Sequence, residues 1–96
     1  MPTKQDLVIN FSVTQDDIDA ALLPLSRINV ARDCPIGQAL FRAIGRHAYV
    51  GWLEASIYWE FGQKPTIYKH NYEFRIKRFD TTGVMEPFNG ALTRVG

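Results

Sequence analysis

The tightest constraint on the fold is a change of hydrophobic period at Thr14. Before it, Leu7, Ile9, Phe11 and Val13 alternate with Val8, Asn10 and Ser12, the period of a strand with one buried face. After it, Thr14-Gln15-Asp16-Asp17 has the composition of a helix start. The Thr14 hydroxyl can accept from the Asp17 amide while the Asp17 carboxylate reaches back to Thr14, a capping box with Asp in place of Glu. Val13 and Ile18 flank it at the positions of a hydrophobic staple, and three aspartates sit at the positive end of the helix dipole. A strand that runs directly into a capped helix limits the chain to a mixed α and β architecture.

Ile18, Ala21, Leu22 and Leu25 keep the spacing of an apolar helix face, and Pro24 ends this helix at about Leu23, giving Thr14–Leu23. Ile28 and Val30 then read as core plugs on a connector. A second helix is predicted over Asp33–Ile44, with Asp33 as cap, Pro35 in the first turn and Gly45 as the residue that stops it. From Ala48 to Phe61 the chain is rich in aromatic and branched residues. This predicts two strands, or one strand broken near Leu53, with Ala55, Ile57, Trp59 and Phe61 on one side and Ser56, Tyr58 and Glu60 on the other. Gly62-Gln63-Lys64-Pro65 reads as a turn, and Thr66 to Lys69 as an optional short strand pairing back. Asn71 to Phe79 fits two patterns. Tyr72, Phe74 and Ile76 alternate as in a strand, whereas Tyr72, Ile76 and Phe79 share a helix face; we read a short helix capped by Asn71. Pro87 opens a last strand, Phe88 to Val95. The expected fold is α+β: a small antiparallel sheet with two to three short helices packed on one face, in the order β-α-α-β-β-(β)-α-β.

Ninety-six residues correspond to one domain, 1–96. An apolar fraction of 46% and a net charge of +1 argue against disorder, and the small charge also argues against a strongly basic nucleic-acid binder. The charge is unevenly spread. Lys4, Arg27 and Arg32 stand against five aspartates in residues 1–41, while eight cations face five anions in 42–96. The single cysteine, Cys34, excludes an internal disulfide. The polar N-terminus has no apolar core of signal-peptide length, and no run is long enough to span a bilayer, so a cytoplasmic location is expected.

Few residues suggest covalent chemistry. Cys34-Pro35 at a helix start could lower a thiol pKa, the basis of a thiol-dependent reading, but no Cys-x-x-Cys or resolving cysteine accompanies it. A buried thiol is the expected state. His47, His70 and Cys34 match no metal-ligand spacing, and no phosphate loop or nucleophile elbow occurs. No catalytic residue, metal or cofactor is therefore expected. Two features favour binding. Lys69 to Phe79 interleaves cations and rings, with Lys69, Arg75, Lys77 and Arg78 as candidate contacts, a pattern also found on single-strand nucleic-acid surfaces. The rings after Ala48 exceed what a small core can hide, and Trp52 and Tyr58 are the ones expected to face a partner.

The string Arg32-Asp33-Cys34-Pro35-Ile36-Gly37-Gln38-Ala39-Leu40-Phe41-Arg42-Ala43-Ile44-Gly45, with an acidic helix before it and Phe79-Asp80, Gly83 and Glu86-Pro87-Phe88 after it, resembles small accessory proteins of tailed bacteriophages and prophages. The resemblance implies a non-enzymatic protein that binds and blocks or modulates a host bacterial protein or complex, with an anti-CRISPR type among the options. A small nucleic-acid-binding module using residues 69–79 is the alternative. A homodimer through a sheet edge or an aromatic patch is also compatible, since two-fold dimers are the commonest assemblies.

Overall fold

Strand β1 (Val8–Val13) runs into helix α1 (Gln15–Leu22) through a single residue, Thr14. The computed structural model describes residues 2–22 and 34–95. Helix α2 (Pro35–Ile44), strands β2 (Ala48–Val50), β3 (Glu54–Ile57) and β4 (Thr66–Lys69), helix α3 (Glu73–Thr82) and strand β5 (Phe88–Arg94) complete the order. The expected α+β order is present, and the strand read as optional, β4, is the central one of the sheet. The five strands lie in the order β1-β5-β4-β3-β2, each neighbouring pair antiparallel.

The pleat sorts the side chains. Ile9, Phe11 and Val13 of β1, Leu92 of β5, Tyr68 of β4, Ala55 and Ile57 of β3, and Ala48 and Val50 of β2 all join one buried cluster. Each helix feeds the same cluster: α1 with Ile18 and Ala21, α2 with Ile36, Ala39, Leu40 and Ile44, α3 with Ile76 and Phe79. The helices thus share one face of the sheet. Helix α2 packs against β1 and β2, the two opposite edges of the sheet, so the sheet curls around it.

Local chemistry sets the boundaries. The capping box forms as expected: the Asp17 amide donates to Thr14 Oγ1 at 3.3 Å, and the Thr14 amide donates to Asp17 Oδ2 at 2.8 Å. Val13 and Ile18 beside it are both buried. At α2 the observed cap is Cys34, whose Sγ accepts from the Gly37 amide at 3.4 Å, with Pro35 in the first turn. Asp33, Leu23, Pro24, Leu25, Ile28 and Val30 lie outside the described residues. Helices α2 and α3 end at Gly45 and Gly83, whose φ values of 69° and 73° lie in the left-handed region that only glycine enters without strain.

Three expectations need correction. Leu7 is exposed, although its carbonyl still accepts from the Arg94 amide at 2.8 Å beside the first paired residue, Val8. Asn71 does not cap α3. Tyr72 holds that position, and its amide donates instead to His70 Nδ1 at 3.0 Å. The helix then runs past Phe79 to Thr82, where the Thr81 and Thr82 hydroxyls bond back to the Lys77 and Arg78 carbonyls. Finally, the buried alternation of β3 stops at Ile57. Trp59 is half-buried and Phe61 is fully exposed, because pairing with β4 ends at Ile57 opposite Thr66 and the chain leaves the sheet there.

Candidate functional site: an aromatic groove at the β2 edge

A broad recess opens where the α2–β2 junction meets the β3–β4 loop. Six rings line it, those of Phe41, His47, Tyr49, Tyr58, Trp59 and Phe61, and its volume is about 950 Å³. Helix α2 supplies Phe41 from its last turn, and the Gly45 stop turns the chain so that the His47 ring stacks on Phe41, with centroids 4.5 Å apart. Strand β2 supplies Tyr49, which meets Tyr58 edge to face at 5.5 Å. The β3–β4 loop supplies the rest.

That loop is held at three points. Arg46 Nε donates to the Trp59 carbonyl at 3.0 Å, the Trp59 indole N–H donates to the buried Tyr68 hydroxyl at 3.1 Å, and Lys4 pairs with Glu60 at 3.1 Å. Between these anchors, residues 60–63 form a turn closed by the Gln63 amide on the Glu60 carbonyl, with Gly62 at φ 79° as a type II turn requires at its third position. The turn lifts Phe61 wholly into water. Phe41 and Tyr58 are 46% and 45% exposed. Three exposed rings thus gather around one recess, and contiguous apolar patches of this kind are often contact sites.

The candidate residues read from the sequence lie in separate places. Tyr58 is in the groove. Trp52 is exposed but belongs to the β2–β3 loop, where Lys77 Nζ lies 4.3 Å from its ring centroid; the same ammonium is 3.4 Å from Glu73. Lys69 sits on β4, in register with Glu54 on one side and Thr93 on the other. Arg75 and Arg78 line a smaller recess beside α3, and Arg75 lies over the Phe88 ring at 4.4 Å. Sequence reasoning missed Phe41, His47 and Phe61. A signal existed for Phe61, since it directly precedes Gly62 in a turn, where a buried side chain is hard to place. Phe41 and His47 carry no such signal, because only the tertiary fold brings them to the loop.

Cys34 is 4% exposed and spends its sulfur on the α2 cap, a setting that shields the thiol from reagents. Among the described residues, no group of three or more His, Cys, Asp or Glu is arranged to hold a metal ion, and no helix is long and apolar enough to cross a membrane.

His70 joins the loops around the sheet. Its Nδ1 accepts from the Tyr72 amide, so its proton sits on Nε2, which donates to the Gly51 carbonyl at 2.8 Å. Burial pushes its pKa below the ordinary 6.5, outweighing the backbone contacts that raise it. The neutral ring is therefore favoured in the folded chain, and the unfolded chain takes up the proton first as pH falls. The stability His70 contributes is full above pH 6.5 and is lost as pH falls through the lower folded value. Thermal melts between pH 7.5 and pH 5 are expected to show a steeper loss for the wild type than for His70→Gln; parallel curves would remove this role.

Comparison of the chain with protein families, with curated proteins and with solved structures returns no match.

Proposed function

We propose that this chain is a non-enzymatic binding protein that docks a protein partner in the aromatic groove. The observation that carries this reading is the trio Phe41, Tyr58 and Phe61, exposed around one recess whose loop is pinned by Arg46, Tyr68 and Lys4. Burying those rings is favourable for any apolar partner segment, and a pinned loop lowers the ordering cost of binding. The resemblance to bacteriophage accessory proteins supports the rest of the reading. The partner would be a host bacterial protein or complex in the cytoplasm, and the chain would inhibit or modulate it, as anti-CRISPR proteins do.

The test is affinity capture from bacterial lysate with the wild type and a Tyr58→Ala/Phe61→Ala variant. Phe61 is fully exposed and Tyr58 half-exposed against Tyr49, so the variant is expected to lose no more than about 1.5 kcal/mol, the worth of that ring pair, and to remain folded. Aromatic anchors at an interface are worth about 2 kcal/mol or more each, so a partner held by the wild type is expected to be lost from the variant. Equal recovery of the partner on both would overturn the groove as its site. Recovery only of nucleic acid, weakening steeply with salt, would instead support a nucleic-acid module using residues 69–79.

A further inference from the structure

A second recess, apart from the aromatic groove, lies along the exposed side of α3. Its volume is about 310 Å³, and its lining includes Asn71, Phe74, Arg75, Arg78, Met85 and Glu86. We propose that this recess binds an acidic side chain of a peptide segment, with Arg75 and Arg78 gripping its carboxylate and Phe74 and Met85 receiving an apolar neighbour.

Arg75 and Arg78 are three residues apart on α3, so they occupy neighbouring positions on one face. The Arg75 guanidinium carbon lies 4.4 Å from the centroid of the Phe88 ring, a contact that helps hold the side chain at the recess. Neither arginine side chain forms an ion pair with a carboxylate among the described residues. Two guanidinium groups on one wall suit a planar carboxylate, which each can bind with two parallel N–H donors. Asn71 adds an amide at the same recess. The apolar component is equally definite: Phe74 is 78% exposed, while Met85 closes the floor as a buried residue.

Charge selects a peptide over a nucleic acid. Glu86 lines the same recess, so two arginines and one glutamate leave a single net positive charge, enough for one carboxylate. A phosphodiester chain needs a track of free cations along its path. The next cation on α3, Lys77, is already held by Glu73 and the Trp52 ring.

The experiment is an NMR titration of the full chain with a blocked pentapeptide, Leu-Asp-Leu-Glu-Leu, following the Arg75 and Arg78 Nε–H signals and the Asn71 side-chain amide. Saturable shifts of these signals are expected. Arg78→Gln and Arg75→Gln are each expected to weaken binding by about tenfold. Arg78 serves as the control for folding, since Arg75 also packs on Phe88. Phe61→Ala is expected to bind the peptide as the wild type does, which separates this site from the aromatic groove. Absence of shifts at millimolar peptide, wild-type affinity in both glutamine variants, or tighter binding of an oligothymidylate than of the peptide would each overturn the proposal.

Discussion

Asp17→Ala is expected to destabilise the fold by about 2–3 kcal/mol, the loss of charge-assisted hydrogen bonds to a buried carboxylate, and to lower the melting temperature by on the order of 10 °C. Asp17 is only 7% exposed, and three parts of the chain converge on it. Its Oδ2 accepts from the Thr14 amide at 2.8 Å, the Thr14 hydroxyl at 3.0 Å and Arg42 Nη2 at 2.7 Å. The same Arg42 nitrogen donates to the Ser12 carbonyl at 2.7 Å, so one guanidinium joins the end of β1, the start of α1 and the last turn of α2. Burial pushes the Asp17 pKa up, but the bonds from Arg42 and Thr14 outweigh it and hold the carboxyl below its ordinary 3.8. The stability from this site is therefore complete above pH 3.8 and is lost as pH falls through the lower folded value. Asp17→Asn is expected to flatten the acid limb of the stability curve. Half of Arg42 remains in water, so Arg42→Ala is expected to cost less than Asp17→Ala. A double-mutant cycle measures the coupling. An Asp17→Ala protein that melts with the wild type would show that the cluster contributes nothing.

The sequence made one half of this cluster legible and hid the other, and the same division runs through the molecule. The Thr14–Asp17 box is local: both partners lie within one helical turn, and their chemistry permits few other arrangements. Arg42 is twenty-five positions away from Asp17, and only the packing of α2 on α1 brings them together. The strands were readable because alternation is also local, yet alternation has no intrinsic end. It continues through Trp59 and Phe61, whereas pairing stops at Ile57. The pattern therefore places the last two positions on the core side, where the sheet does not extend. The groove suffers most from this limit, since its rings come from a helix end, an edge strand and a loop.

The basic segment shows a different difficulty. Cations and rings interleaved over residues 69–79 look like one surface, but helix formation distributes them. Ile76 and Phe79 turn into the core, Lys77 turns to Trp52, and Arg75 and Arg78 turn to the recess beside α3. The segment thus holds one engaged cation, Lys77, a pair that faces a recess, Arg75 and Arg78, and a fourth, Lys69, apart from them on β4. The single-strand nucleic-acid pattern loses its regular spacing for this reason.

Gly90→Ala is expected to cost about 2–3 kcal/mol, in the upper part of the range for overpacking a filled core. A Cβ at this position would stand 2.6 Å from Phe11 Cζ and 2.8 Å from the Tyr72 hydroxyl. Neither ring can yield cheaply. Phe11 packs edge-on against both Tyr72 and Phe88, at centroid distances of 5.9 and 6.1 Å. Tyr72 has a second duty that follows from strand register. β5 pairs with β4 through Thr93 opposite Lys69, and in that register Ala91 would face Asn71. The chain has left the sheet by then to begin α3. The Tyr72 hydroxyl takes the missing strand's place, accepting from the Ala91 amide at 2.8 Å and donating to the Ala91 carbonyl at 3.4 Å. An isolated glycine inside a strand pattern is where such a close approach occurs, and Gly90 of β5 fits it. Displacing Tyr72 would expose the Ala91 amide and shift the first turn of α3, which carries Arg75. Hydrogen exchange at Ala91 and through residues 73–78 is therefore expected to accelerate in Gly90→Ala. Tyr72→Phe, which removes the hydroxyl but keeps the ring, is expected to accelerate Ala91 with a smaller loss of stability, about 1 kcal/mol. Wild-type exchange and melting in Gly90→Ala would mean that the rings have room to move, and that α3 is placed by its Ile76 and Phe79 contacts alone.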